Sequence, residues 1–140
     1  MQAMKFSLKE MNNDHIVHLE DLKGTPILLT FWTSWCPDSA FDLMKKQALY
    51  EHMDPNRLKM LMINVIGRER EANSPQKFIE KNGFTFPVVM DEGRKTYDAY
   101  GCEGVPSTFI LNERLEIVHS YGEKATFIEI MEGVNQVINT

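Results

Sequence analysis

The chain has 140 residues, of which 43% are hydrophobic and 25% are charged, and its formal net charge at pH 7 is -5. This length suits a single domain that buries a core without disulfides or a structural metal, so we expect one domain over residues 1–140. An acidic chain without a basic stripe is not typical of a general nucleic-acid binder, and we expect no nucleic-acid partner.

The sequence contains no apolar run long enough to span a bilayer. Its first ten residues lack the basic segment, the apolar stretch and the small-residue cleavage site of a secretory signal. We therefore expect a cytoplasmic protein if Met1 is the natural start, and an extracytoplasmic one if an N-terminal signal or anchor was removed.

The first half of the chain alternates strand and helix patterns. Residues 16–19 have the pattern of a short leading strand, and residues 27–32 that of an apolar strand buried on both faces. A helix is predicted from Cys36 to about residue 52, where the proline-containing segment 54–56 ends it. Residues 58–65 have the pattern of a second buried strand.

The second half continues this alternation and then changes character. Ser74 is predicted as the N-cap of a helix that has Pro75 at its first position and ends at Asn82-Gly83. The later predicted elements are a strand at residues 86–90, a short helix at 94–100, a hairpin of strands at 108–111 and 116–120, and a helix at 126–138 that begins with a Thr126/Glu129 capping box. Parallel strands followed by a hairpin predict an α/β fold with a central mixed sheet and helices on both faces.

One cysteine lies where a thiol becomes reactive. Cys36 is part of the motif Trp35-Cys36-Pro37-Asp38-Ser39, between a predicted strand and a predicted helix. The first-turn N–H groups and the positive end of the helix dipole favour a thiolate at such a position. A Cys-X-X-Cys motif would have a second sulfur at position 39, and here that position holds the Ser39 oxygen. Because an oxygen cannot close a disulfide, reversible dithiol chemistry at these positions is excluded.

Two separated motifs give the chain a resemblance to a known family. The Trp-Cys-Pro motif at residues 35–37 and the later motif Gly104-Val105-Pro106-Ser107-Thr108-Phe109 occur in the order found in the thioredoxin superfamily. The resemblance covers about residues 4–140, and residues 64–101 resemble the helix-strand insertion of the redoxin branch, the thiol-disulfide oxidoreductases used in cytochrome maturation. It implies a three-layer thioredoxin-like fold with an N-terminal extension and this insertion. It also implies a cis Val105-Pro106 bond that faces Cys36, with a docking surface formed by Trp35, Pro37, Val105 and Pro106.

The chain departs from the dithiol members of that family in two related places. Ser39 replaces the resolving cysteine. Thr30 lies where thioredoxin has a buried aspartate that helps to deprotonate that resolving cysteine. The resemblance therefore implies a monothiol oxidoreductase in which Cys36 is the nucleophile. The Ser39 hydroxyl is a candidate hydrogen-bond donor to the Cys36 thiolate, whereas the Asp38 carboxylate disfavours a thiolate that faces it.

A mixed disulfide at Cys36 needs a second thiol to resolve it. That thiol is either external or Cys102, which lies four residues before Pro106; the competing interpretation of Cys102 is a small core residue. The expected partners are protein thiols or disulfides, with a low-molecular-weight thiol or a reductase as electron donor. We expect no cofactor.

Two other functions fit parts of the pattern. Thr33 precedes Cys36 by three residues as in peroxiredoxins, which would make the protein a thiol-dependent peroxidase, but Leu29 occupies the position of their proline. The other alternative function is a module that binds cysteine-containing polypeptides without catalysis.

Several other groups are interpreted as structural. His15 and His18 are not expected to share a metal, and we expect no metal site. Residues 68–71, with alternating Arg and Glu, are predicted to be a solvated loop. The methionines within apolar patterns are predicted to fill the core; they include Met44, Met60, Met62 and Met131.

Overall fold

The structure, a computed structural model, describes residues 1–139. Within this range the strands are β1 (Ser7–Glu10), β2 (Ile16–His18), β3 (Ile27–Trp32), β4 (Lys59–Asn64), β5 (Val88–Met90), β6 (Ser107–Leu111) and β7 (Ile117–Tyr121). The α-helices are α1 (Pro37–His52), α2 (Ser74–Asn82), α3 (Lys95–Ala99) and α4 (Phe127–Ile138). Short 3-10 turns at Leu19–Leu22 and Ile66–Arg68 complete the chain order.

All seven strands join one mixed sheet in the order β2-β1-β5-β4-β3-β6-β7. β3 is parallel to β4 and antiparallel to β6, with Phe31 paired to Ser107. The carboxyl end of β3 therefore lies beside the amino end of β6. Since the Cys36 segment follows β3 and the Val105-Pro106 segment precedes β6, this register brings the two sequence motifs to the same edge of the sheet.

Two hydrophobic clusters cover the faces of the sheet and make three layers. One cluster joins β3 residues Leu28 and Trp32 to Leu43 of α1, Ile79 of α2 and Ile130 of α4. The other lies on the opposite face, where the α3 segment and the N-terminal segment pack on β3; it includes Phe6, Leu19, Phe31, Tyr97 and Tyr100. The predicted thioredoxin-like α/β architecture is confirmed. Within residues 1–139, no helix is both long enough and apolar enough to cross a bilayer.

Most predicted elements are confirmed, with ends that differ by one or two residues. The sequence does not predict β1, because Leu8 is the one buried residue among its four. The prediction of Ser74 as the N-cap of α2 is wrong: Ser74 is already helical, and Asn73 precedes the helix without a side-chain cap. The Thr126/Glu129 capping box of α4 is confirmed in both of its hydrogen bonds.

The methionine prediction holds for the strands but not for α1. Met60 and Met62 of β4 are buried, as expected. The prediction that Met44 is a core residue is wrong, since Met44 is 56% exposed. It lies on the same outer face of α1 as Phe41, which is 66% exposed. The apolar pattern of α1 therefore continues onto its solvent face, where periodicity alone does not distinguish the two sides.

A charged side chain lies between α1 and the sheet. Lys46 of α1 is fully buried, and its ammonium donates hydrogen bonds to the hydroxyls of Thr30 at 2.8 Å and Thr108 at 2.7 Å. Its Nζ lies 2.6 Å from the Asp42 carboxylate. Burial lowers the pKa of Lys46, and Asp42 opposes that shift. A buried cation is tolerated here because two hydroxyls and a carboxylate surround it.

Asp42→Ala leaves this ammonium buried without its counter-charge. We expect the free energy of unfolding at pH 7 to fall by about 3 kcal/mol in urea denaturation. Because burial depresses the pKa of Lys46 in the folded state, the protonated lysine penalises folding below that pKa, and the penalty is lost as pH rises towards the unfolded value. The deficit should therefore shrink between pH 7 and pH 10.

Two further variants separate this cause from others. Adding Lys46→Met to Asp42→Ala should recover most of the loss, since an apolar side chain needs no counter-charge. Glu132→Ala removes an exposed carboxylate from α4 and should change stability by less than about 0.5 kcal/mol. A deficit for Asp42→Ala that stays constant from pH 7 to pH 10 would contradict the buried ammonium as its source.

Candidate active site

The geometry at the end of β3 places the Cys36 thiol against a second chain segment. Cys36 is the N-cap of α1, with extended backbone angles, and its carbonyl accepts the Ala40 N–H at 3.0 Å. Its Sγ lies 3.6 Å from the carbonyl oxygen of Val105. The Val105-Pro106 bond is cis, as the resemblance implies. The side chain of Cys36 is 9% exposed, so a small part of it reaches the surface between these segments.

Ser39 lies on the inner side of the first turn of α1. Its side chain is fully buried, and its Oγ accepts the Thr33 N–H at 3.5 Å. Within residues 1–139, Ser39 is hydrogen-bonded to Thr33, and the Cys36 sulfur to Val105. The hydrogen bond expected from the Ser39 hydroxyl to the Cys36 sulfur is therefore absent from this part of the chain. Asp38 is exposed in the same turn, where water screens its carboxylate.

A carboxylate from the 3-10 turn after β4 holds the loop that precedes Cys36. The Glu69 side chain accepts the Ser34 N–H at 2.7 Å, the Ser34 hydroxyl at 2.6 Å and the Asn64 amide at 2.8 Å. Asn64 itself is fully buried at the end of β4. The prediction that residues 68–71 form a solvated loop is therefore wrong for Glu69, which joins two strand ends.

Trp35 is held from two sides and keeps one face available to solvent. Its indole N–H donates to the Arg68 carbonyl at 2.8 Å, and the Arg70 guanidinium lies 4.7 Å from the centre of its ring. The Arg68 guanidinium in turn donates to the Tyr97 hydroxyl at 2.6 Å. Trp35 remains 38% exposed. The segment of Arg68 and Arg70 and the Trp35 ring therefore form one surface beside the Cys36 thiol.

Cys102 is the second cysteine of the chain. Its side chain is half-buried and packs against the same core cluster that contains Cys36. Burial raises the pKa of the Cys102 thiol to about 12, and the nearby Asp91 and Asp98 carboxylates add to this shift. Both cysteines are free thiols. A thiol with such a pKa is almost entirely protonated at neutral pH and is a poor nucleophile.

The structure brings most of the residues singled out in the sequence to one edge of the sheet. Trp35 and Pro37 are exposed beside the thiol, whereas Val105 and Pro106 are buried on its other side. The sequence does not predict that Glu69 accepts hydrogen bonds from Ser34 and Asn64. A usable signal is Asn64, a polar residue at the end of a strand predicted to be buried, which requires a hydrogen-bonding partner.

Comparison with known proteins identifies a family and named relatives. The profile of the AhpC/TSA family matches residues 1–120. The thiol-disulfide oxidoreductase ResA of Halalkalibacterium halodurans is 31% identical over 134 residues, which cover 91% of this chain and 72% of that protein. The sporulation thiol-disulfide oxidoreductase A of Bacillus subtilis is 34% identical over 95 residues, which cover 68% of this chain and 58% of that protein.

Solved structures show the same fold. The crystal structure of StoA from Bacillus subtilis superposes with a TM-score of 0.79 at 28% identity, covering 93% of this chain and 96% of that one. The solution structure of a putative thioredoxin from Neisseria meningitidis gives a TM-score of 0.86 at 20% identity, covering 99% and 90% of the two chains. The second likeness concerns the fold alone.

Glu69→Gln tests the role of the carboxylate before Cys36. The amide replaces one acceptor oxygen with a donor that faces the Ser34 donors, so we expect a loss of about 2 kcal/mol in unfolding free energy. Amide hydrogen exchange of Ser34, measured by NMR, should become faster. Glu71→Gln is the matched control: this exposed carboxylate is two residues away, and its loss should change stability by less than about 0.5 kcal/mol. Unchanged exchange at Ser34 in Glu69→Gln would contradict the assigned role.

Alkylation kinetics test the state of Cys102. In a Cys36→Ser variant, iodoacetamide should modify Cys102 at pH 8 on the order of 10³-fold more slowly than N-acetylcysteine, because few molecules carry the thiolate. The rate should rise about tenfold per pH unit up to about pH 11, and unfolding in guanidinium should abolish the difference. A rate that levels off below pH 10 would show that burial does not protect this thiol.

Proposed function

This chain belongs to the AhpC/TSA family, and we propose that it is a thiol-disulfide oxidoreductase of the ResA and StoA kind that acts through Cys36 alone. Its matched relatives carry that activity in their names. The mechanism we assign to this chain is monothiol, with Cys36 as the nucleophile and an external thiol that resolves its mixed disulfide.

The observation that carries the proposal is the residue one helical turn after Cys36. Position 39 is occupied by a fully buried serine, whose oxygen is held by the Thr33 N–H. The other thiol in the chain, Cys102, is half-buried with its pKa raised to about 12. Neither group is suited to attack a disulfide at Cys36, so the second thiol must come from outside the chain.

The reaction proceeds by three exchanges. The Cys36 thiolate attacks one sulfur of a substrate disulfide, breaks the S–S bond and releases the other substrate sulfur as a thiolate, which takes a proton from water. An external thiolate then attacks the Cys36 sulfur and releases the second substrate sulfur. A second external thiolate attacks the sulfur of the bound small thiol, forms a small disulfide and returns Cys36 as a thiolate. Two external thiols thus supply the two electrons that reduce one substrate disulfide.

The surface around Cys36 supports the docking part of the proposal. Trp35 and Pro37 are exposed on one side of the thiol, and the backbone of Val105 and Pro106 borders the other. We assign these four residues to contact with an extended substrate chain. Ser39 acts as a positioning residue, because its hydrogen bond ties the first turn of α1 to the Thr33 segment.

The cellular compartment in which the protein works depends on which electron donor it uses. A protein that depends on small thiols works directly in a cytoplasm, which keeps thiols reduced, whereas an extracytoplasmic location would require a dedicated reductant.

Ser39→Cys tests whether position 39 limits turnover. We expect insulin reduction with dithiothreitol to become at least about ten-fold faster, because an intramolecular thiol has a high effective concentration. The native protein should accumulate a mixed disulfide with a substrate peptide on a non-reducing gel, and Ser39→Cys should not. Phe41→Cys is the matched control, since its thiol, five residues after Cys36 and exposed, does not share the helix face of Cys36.

Three outcomes would overturn the proposal in different ways. Cys36→Ser that retains insulin reduction would exclude Cys36 as the nucleophile. Peroxide consumption without insulin reduction would favour the peroxidase. Retained peptide binding without turnover in either assay would favour a binding module.

A further inference from the structure

A groove opens beside the tryptophan that precedes the reactive thiol. Its volume is about 350 Å³, and it lies between the loop before Cys36, the turn after β4 and the first half of α2. Trp35 forms one wall, Phe78 of α2 another, and Arg70, Glu71 and Lys77 line its opening. Because Trp35 directly precedes Cys36 in the chain, the groove lies beside the loop that carries the thiol.

Two cations at this groove have no carboxylate partner. Within residues 1–139, Arg70 and Lys77 take no part in an ion pair. Of the two carboxylates nearby, Glu69 is directed inward and accepts three hydrogen bonds from Ser34 and Asn64. Glu71 is exposed, and with Glu69 it brings the formal charge of the groove lining to zero, so the placement of Arg70 and Lys77 rather than a net positive charge would bind an anion.

The contact of Arg70 with Trp35 prepares it to bind an anion. Its guanidinium lies 4.7 Å from the centre of the Trp35 ring. A guanidinium held over an aromatic ring by a cation–π contact still has N–H groups that match the two oxygens of a carboxylate. A cation held in place by the ring also loses little freedom when a ligand binds.

We propose that this groove selects a small thiol that bears a carboxylate as the external reductant of Cys36, with Arg70 and Lys77 binding the carboxylate. The inference rests on the monothiol function proposed above and names the chemical class of its electron donor. The volume lies at the small end of ligand sites and suits one small molecule rather than a length of polypeptide. In the mixed disulfide the donor's sulfur is joined to Cys36 while its carboxylate lies against Arg70.

The test measures which thiol reacts with an activated Cys36. One equivalent of 2,2'-dithiodipyridine converts Cys36 to an uncharged pyridyl disulfide, whose position is confirmed by mass spectrometry. Attack by a thiol on the Cys36 sulfur releases 2-thiopyridone, which is followed by absorbance. The thiols compared are 3-mercaptopropionate, 2-mercaptoethanol and cysteamine, and each rate is divided by its rate with the uncharged pyridyl disulfide of N-acetylcysteine amide to remove differences in thiol basicity.

The normalised rate should be about three- to five-fold higher for 3-mercaptopropionate than for 2-mercaptoethanol, the effect expected of exposed ion pairs. It should be lowest for cysteamine. The preference should decline in Arg70→Gln and Lys77→Gln, increase in Glu71→Gln, and weaken as salt is added. Lys23→Gln removes the same charge before β3, at the end of the sheet opposite Cys36, and should leave the preference unchanged.

The outcomes separate this inference from the function on which it rests. If Cys36 forms no adduct, or if no thiol releases the pyridone, the monothiol mechanism fails. If all three thiols react at equal normalised rates, or if Arg70→Gln retains the preference, the mechanism stands and the assignment of the groove is wrong. A charge preference that appears only with cysteine-containing acidic peptides would also overturn it, because the groove would then recognise the polypeptide.

Discussion

The antiparallel pairing of β3 with β6 is the constraint on which the candidate site depends. Phe31 pairs with Ser107, so the segment that leaves β3 and the segment that enters β6 emerge side by side. Cys36 and Val105 are 69 positions apart in the chain, yet this register places the sulfur 3.6 Å from the Val105 carbonyl. A slip of one residue would reverse the faces of β6 and separate the two motifs, so the chemistry is tied to the pairing of the central strands.

Two charged groups hold the turn that this pairing creates. Lys46 ties α1 to the sheet through hydroxyls on β3 and β6, whereas Glu69 ties the loop before Cys36 to the end of β4. Lys46 lies between α1 and the sheet, and Glu69 lies at the carboxyl end of β4. A hydrophobic contact could fill either space, but hydrogen bonds of defined direction fix the position of the backbone as well. The thiol is consequently presented by a turn that these hydrogen bonds tie to the sheet.

The same architecture limits what the thiol does without help. The first turn of α1 directs position 39 inward, and burial keeps the half-buried Cys102 thiol protonated at neutral pH, so the Cys36 thiol has no internal partner suited to resolve a mixed disulfide. The groove at Trp35 and Arg70 lies beside the loop that carries this thiol, on the side of α2. An insertion that adds a helix to the fold therefore also supplies the wall against which an external donor would bind.

The sequence by itself determined the fold class, the turn that carries Cys36, the absence of a second thiol at position 39 and the helix cap at Thr126. These features are local, since they follow from residue type, short spacing and the period of a helix or strand. Only the tertiary structure decided the partner of Glu69, the burial of Lys46, the exposure of Met44 and the protonation of Cys102. Each of these depends on side chains that come from distant segments, and the same charged or apolar pattern in the sequence is compatible with a buried or an exposed position. The burial of a polar group is settled by the partners the fold brings to it, which a single strand or helix pattern does not contain.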